Sequence, residues 1–145
     1  MTRENLPAGF QPVVPVGFNA YIGPILRDLS RKAGEAGRFR FQPQAHHLNA
    51  GHNVHGGLLM TLCDIMLGYT VHEAIPGKLA TTATLNTDFV AGVREGELIE
   101  GRAEVTRLTR SLVFVSGALS VAGKPVMTAS GIWKIIGDRK EGAPA

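Results

Sequence analysis

The chain has 145 residues, 44% of them hydrophobic, which suits one folded domain with its own core and excludes a disordered polymer. Its single cysteine, Cys63, excludes an internal disulfide, and the N-terminus has no basic–apolar–small leader, so a cytoplasmic setting is expected. A net charge of +3 admits an anionic ligand, but there is no basic helix, aromatic RNA-reading set or zinc-finger spacing, so no nucleic-acid partner is expected.

Residues 1–17 carry Pro7, Pro12 and Pro15 and read as an extended arm. Asn19 to Lys32 reads as a short amphipathic helix, with Tyr21, Ile22, Ile25, Leu26 and Leu29 on one face. Asn19 is its candidate cap, and Pro24 must lie in its first turn or kink it. After the glycine-rich turn at 34–38, Phe39 and Phe41 alternate with Arg38, Arg40 and Gln42. That alternation predicts a strand running to about Leu48.

The segment from His47 to Glu73 is the most informative. Leu58 to Val71 is a nearly unbroken apolar run, which predicts a helix enclosed by other structure. It is too short, and too interrupted by Asp64 and Gly68, to span a bilayer. Thr61, Asp64, Gly68 and His72 follow steps of three, four and four and form one small or polar stripe. A carboxylate in such a helix is paired, solvated in a cleft or shifted in pKa. A cleft is where a nucleophile or general base belongs; a structural interface carboxylate is the competing reading of Asp64. Cys63, in the same run, reads as a buried structural thiol.

At the start of this helix stand His55, Gly56 and Gly57. The glycine pair lets a ligand or another chain come close to the backbone. First-turn amides have no intrahelical acceptor and lie at the positive end of the helix dipole, a place for developing negative charge on an oxygen. Eight residues separate Gly56 from Asp64, about 12 Å along a helix. One carbonyl carbon cannot be served by both groups of one chain, so the spacing points to a site shared between two copies.

Beyond the breaker at 75–78, four strands follow with short turns. They cover Thr81 to Phe89, Leu98 to Leu108, Leu112 to Val121 and Val126 to Ile136, the last three as antiparallel neighbours. Gly101, Gly117 and Gly131 fall inside these strands, as they would if a helix lay across a strongly curved sheet. The polar tail from Asp138 is expected to be flexible. The whole reads as an α+β chain, an antiparallel sheet wrapped around one long helix, with a partner subunit completing the burial.

Asn49, then His55-Gly56-Gly57, then Asp64, then the strand carrying Thr82, make the chain resemble the hotdog-fold acyl-CoA thioesterases of the phenylacetate-degradation type. The resemblance covers roughly residues 38–136. It implies a five- or six-stranded sheet around the helix in a single domain over 1–145. It also implies a homodimer with two active sites at its interface, and pairing of dimers into a homotetramer. The activity implied is hydrolysis of an aryl- or medium-chain acyl-CoA. Asp64 would be the nucleophile or general base, and the Gly56 amide of the other subunit would polarise the carbonyl. Asn49 would position water or the thioester, with Asn53 as a competitor for that role, and Thr82 would stand beside the carboxylate. His55 would brace the loop, and Gly57 would line the substrate's approach. Three residues before the motif histidine, where the family usually has glycine, this chain has His52.

Arg107, Arg110, Lys124 and Lys134 are candidates for the phosphates of coenzyme A, which is part of the substrate; no separate cofactor is expected. His46, His47, His52 and His55 have no fixed ligand spacing, so no metal is expected. Two other readings compete with hydrolysis. One is a non-catalytic acyl-CoA-binding protein. The other is a hotdog enzyme of another acyl-thioester chemistry such as a hydratase, although the proline-rich motif usual after that enzyme's histidine is absent.

Overall fold

The computed structural model describes residues 6–13, 16–32 and 34–138. The expected arm residues 1–5 and 14–15 and the tail beyond Asp138 lie outside them. The elements in chain order are β1 (Phe10–Pro12), α1 (Asn19–Ile22), β2 (Leu26–Asp28), β3 (Gly37–Phe41), a 3-10 turn (Ala45–His47), α2 (Gly56–Ala74), β4 (Lys78–Phe89), β5 (Ile99–Leu108), β6 (Leu112–Val121) and β7 (Lys124–Asp138). All seven strands form one antiparallel sheet in the order β1-β2-β3-β5-β6-β7-β4. Helix α2 carries the chain from β3 to the far edge at β4. This is the helix-in-sheet hotdog arrangement.

The apolar run of α2 explains where it lies. Leu59, Leu62, Cys63, Met66, Leu67 and Val71 recur at helical spacing and are buried against Phe39, Phe41, Ile99, Val115, Leu119, Met127 and Trp133 of the sheet. Two of the three mid-strand glycines make room for it. A Cβ at Gly101 would stand 2.6 Å from Met66 Sδ, and one at Gly117 would stand 3.0 Å from Met66 Cε. Gly131 has a different cause: its missing side chain leaves space for the Trp133 ring and the Thr84 carbonyl. The opposite side of α2 is less covered, with Met60 exposed and Asp64 and Gly68 half-buried.

The N-terminal third departs from its expected form. The helix predicted over 19–32 is a single turn, because Gly23 takes φ 89 and Pro24 follows it. Ile25 to Asp28 then extend. Val13 donates to the Ile25 carbonyl, and β2 pairs with both β1 and β3. The apolar residues that suggested one helix face are instead split between a turn and a strand. These two short strands take the sheet from the expected five or six to seven. The strand at Phe39 stops at Phe41 rather than reaching Leu48, since Pro43 cannot continue the ladder and a 3-10 turn follows.

Candidate active site

Asp64 stands half-buried on the uncovered side of α2. The edge strand β4 passes alongside and gives it a partner: Thr82 Oγ1 donates to Asp64 Oδ1 at 2.9 Å. A register shift between Thr82 and Thr84 in the β4–β7 ladder sits at this point, and such a bulge re-aims the side chains beside it. The pair lines a cleft of about 520 Å³. Gly68 and His72, two further members of the polar stripe, line it with Ile65, Tyr69, Ala80 and Trp133.

The thiol next to Asp64 takes no part in this chemistry. Cys63 is 0% exposed, and burial, with the Asp64 charge beside it, pushes its pKa up to about 12. The thiol is protonated at neutral pH and out of reach. Native protein at pH 8 should therefore resist iodoacetamide under conditions that alkylate the urea-unfolded chain fully. Mass spectrometry of the two reactions checks this.

At the N-terminal end of α2, His55 is the N-cap, with extended backbone (φ −61, ψ 132), and its Nδ1 accepts the Gly57 N–H at 2.9 Å. The Gly57 amide is thereby occupied. The Gly56 N–H is not: among the described residues nothing accepts it. The ring of Phe89 lies against Gly56, where a Cβ would meet it at 2.9 Å.

The loop before the helix is tied by its own polar groups. Asn49 Oδ1 accepts from the amides of Gly51 and Asn53, and Asn49 N–H donates to the Asn53 carbonyl. The Asn53 side chain donates to Gly51 and is packed at Gly92. Asn49 therefore acts in this chain as the organiser of the turn. His52 takes a left-handed conformation at φ 57, which a non-glycine residue adopts uncommonly.

His47 anchors this loop from beneath. It is buried (7% exposed), its Nδ1 accepts from the Gln44 amide, its ring packs on Phe41, and its carbonyl accepts from His55 N–H. Burial first, then the neighbouring His46 ring, lower its pKa below the usual 6.5, with the Ile22 backbone opposing. The unfolded chain therefore binds the proton more readily than the folded one. The stability His47 contributes is complete above about pH 6.5 and is lost as pH falls below it. Urea unfolding at pH 7.5 and 5.5 should show a drop that is smaller in His47→Asn, which keeps an acceptor for the Gln44 amide.

The remaining candidates stand apart. Arg107 and Arg110 are exposed at the β5–β6 hairpin, whose strands stand three and two places from β4 in the sheet order. Lys124 opens β7 and is exposed, and Lys134 is an exposed residue of β7 paired with Thr81. The one chain does not gather any of the four around Asp64. Among the described residues no three His, Cys, Asp or Glu are grouped to hold a metal ion. What the sequence reading missed is Arg27, which reaches the cleft from β2; its position was hidden by the helix predicted there.

A family model described as the thioesterase superfamily matches residues 51–126. A Pseudomonas aeruginosa protein that is named an esterase is 32% identical over 135 residues, which is 90% of this chain and 98% of that protein. A phenylacetic acid degradation-related protein of Ralstonia eutropha JMP134 superposes with a TM-score of 0.66 at 28% identity, covering 70% of this chain and 76% of the other. A hypothetical thioesterase of Streptococcus pneumoniae TIGR4, solved with coenzyme A, gives a TM-score of 0.70 at 18% identity over 80% and 88% of the two chains, a likeness of fold.

Proposed function

The chain belongs to the thioesterase superfamily, and from that premise we propose that it hydrolyses aryl- or medium-chain acyl-CoA thioesters in a site shared by two protomers. It is a thioesterase enzyme; the acyl-CoA substrate, the residues and the shared site are our reading. The observation that carries it is the Thr82–Asp64 hydrogen bond on the wall of the cleft, with an uncommitted Gly56 amide eight residues away on the same helix.

The chemistry needs little more. A thioester carbonyl is already electrophilic. A carboxylate either attacks its carbon directly or takes a proton from an attacking water, and both routes lead to a tetrahedral oxyanion. Thr82 fixes one oxygen of Asp64 and leaves the other for this work. The Gly56 N–H, at the positive end of α2, receives the oxyanion, and the coenzyme A thiolate departs. In the water route the thiolate takes the proton held by Asp64. In the direct route it leaves an acyl–Asp64 anhydride that water then opens to the free acid, with the proton passing to the thiolate. Since the two groups are about 12 Å apart along one helix, the amide comes from a second copy.

The second copy has a place to bind. β4 is a 12-residue strand at the edge of the sheet, mostly exposed, with Phe89 and Val90 at its end also exposed. Such an edge is stable in solution when it is covered. Two β4 strands pairing antiparallel join the sheets and bring each helix start toward the other chain's Asp64. Arg107, Arg110, Lys124 and Lys134 then supply the positive surface for the coenzyme A phosphates, and dimers pair into a tetramer. A cytoplasmic setting belongs to the same reading; among the described residues no helix is long and apolar enough to cross a membrane.

The test is thiol release from phenylacetyl-, hydroxybenzoyl-, short-, medium- and long-chain acyl-CoAs. Turnover of an aryl or medium-chain member supports the reading. Tight binding without turnover of any member would replace it with a non-catalytic acyl-CoA-binding protein.

A further inference from the structure

The cleft that holds Asp64 has an apolar wall of Ile65, Gly68 and Trp133, with His72 beside it, and is lined by Arg27 as well. This arginine comes from β2, outside the residues 51–126 that match the family model. Pairing of β2 with β3 holds its backbone opposite Phe39. Helix α2 holds its side chain: the guanidinium lies over the Tyr69 ring, 5.3 Å from the centroid, and Nη2 donates to Glu73. Tyr69 and Glu73 are five and nine residues beyond Asp64, so the guanidinium sits roughly 8–13 Å along the helix axis from the carboxylate.

Glu73 is fully engaged, since Arg31 binds its other oxygen. Arg27 is not. Among the described residues only its Nη2 is bonded, to Glu73, and the side chain keeps 22% of its surface exposed where it lines the cleft. The remaining accessible N–H groups of the guanidinium are donors that an acceptor on a ligand can take. Burial also lowers the guanidinium's pKa, with Tyr69 opposing, so the charge is poorly served by water.

We infer that Arg27 is a specificity-determining residue that reads an oxygen acceptor, a hydroxyl or a carboxylate, at the far end of the acyl group. The inference rests on acyl-CoA hydrolysis at Asp64. The substrate then has a hydrocarbon middle, which the apolar wall accepts, and polar atoms at both ends. A plain alkyl tail covers the free N–H groups of Arg27 without satisfying them. Sites that hydrogen-bond a substrate oxygen reject the analogue that lacks it far more strongly than an apolar pocket rejects a missing methylene.

The experiment compares kcat/KM for octanoyl-CoA, 8-hydroxyoctanoyl-CoA and the mono-CoA thioester of octanedioic acid, with phenylacetyl-CoA as a reference. Wild type should favour at least one oxygen-tailed thioester over octanoyl-CoA by about 10-fold or more, and the faster of the two names the acceptor. Arg27→Met, and Arg27→Lys, which keeps a charge for Glu73 but has no second guanidinium nitrogen to offer the ligand, should each bring that ratio to within about 2-fold by slowing the oxygen-tailed substrate alone. Octanoyl-CoA turnover reports that the variants are folded and assembled. A wild type with no preference, or a preference that survives both substitutions, overturns the inference and leaves the thioesterase reading standing. No turnover of any of these four thioesters, nor of the wider acyl-CoA panel, overturns the acyl-CoA reading and this inference with it.

Discussion

Asp64→Asn should lose about 10²- to 10⁴-fold in kcat on the best acyl-CoA, while folding and assembling as wild type does. The asparagine has the shape of the aspartate, and its side-chain oxygen still accepts the Thr82 hydroxyl that Asp64 Oδ1 accepts at 2.9 Å. What it lacks is the charge and the basicity. The two readings of Asp64 therefore part here. If the carboxylate were a structural member of the interface, its replacement would show first in oligomer size or in thermal midpoint. If it acts on the thioester, those stay and the rate goes. Thr82→Ala is the graded companion: removing one hydrogen bond to a half-exposed carboxylate should cost about 10-fold in kcat, roughly 1.4 kcal/mol, with a smaller change in KM. Stopped assays of thiol release, beside size-exclusion and thermal melts of the same samples, check both. Turnover indifferent to Asp64→Asn would end the proposed mechanism.

The parts of this molecule that could be read from sequence are those in which one local pattern had one outcome. The run from Leu58 to Val71 was apolar at every turn, and a helix inside a sheet is what such a run needs; the structure extends it to Gly56–Ala74. The last three of the four strands after it were separated by turns too short for anything but hairpins, and β4 to β7 lie where they were expected. The N-terminal segment failed because Tyr21, Ile22, Ile25, Leu26 and Leu29 fit a helical face as well as they fit a turn followed by a strand. Gly23-Pro24 was the decisive signal, and a proline read as a first-turn residue disguised it. That error concealed Arg27, because a helical Arg27 faces solvent and a β2 Arg27 faces the cleft. The site was legible in part. Asp64 and Thr82 are far apart in sequence, and it is the β4 edge passing α2 that joins them. Asn49 shows the opposite limit: its residue type suits a catalytic polar role, yet here its oxygen is taken by the Gly51 and Asn53 amides. Gly101 and Gly117 were rightly tied to the helix, and Gly131 was not, since nothing in the sequence says that its space belongs to Trp133.

Gly56→Pro and Asp64→Ala, each nearly inactive alone, should restore one another when the two chains are mixed. Gly56 is the first residue of α2, where proline is well tolerated and no intrahelical hydrogen bond is lost. His55 before it already has the extended backbone that proline demands of its predecessor. The ring of Phe89, 57% exposed, must move aside for the new Cβ, and it has solvent to move into. The substitution thus deletes one N–H and little else, and loss of one oxyanion donor costs about 10²- to 10³-fold in kcat. In a mixed dimer, the chain with Asp64→Ala still offers its Gly56 amide, and the chain with Gly56→Pro still offers its Asp64. If the site takes one group from each protomer, one of the two sites in that dimer is whole and the other lacks both groups. Random exchange makes about half of the dimers mixed, so roughly a quarter of wild-type turnover per chain should return. If both groups served one site from the same chain, every site in every dimer would lack one of them, and mixing would restore nothing. Unfolding the two variants together in urea, refolding them by dilution and assaying thiol release separates these outcomes by a margin of about 10-fold or more, because the parents are each down by about 10². The separation of about 12 Å between the helix start and its carboxylate is the physical reason to expect recovery.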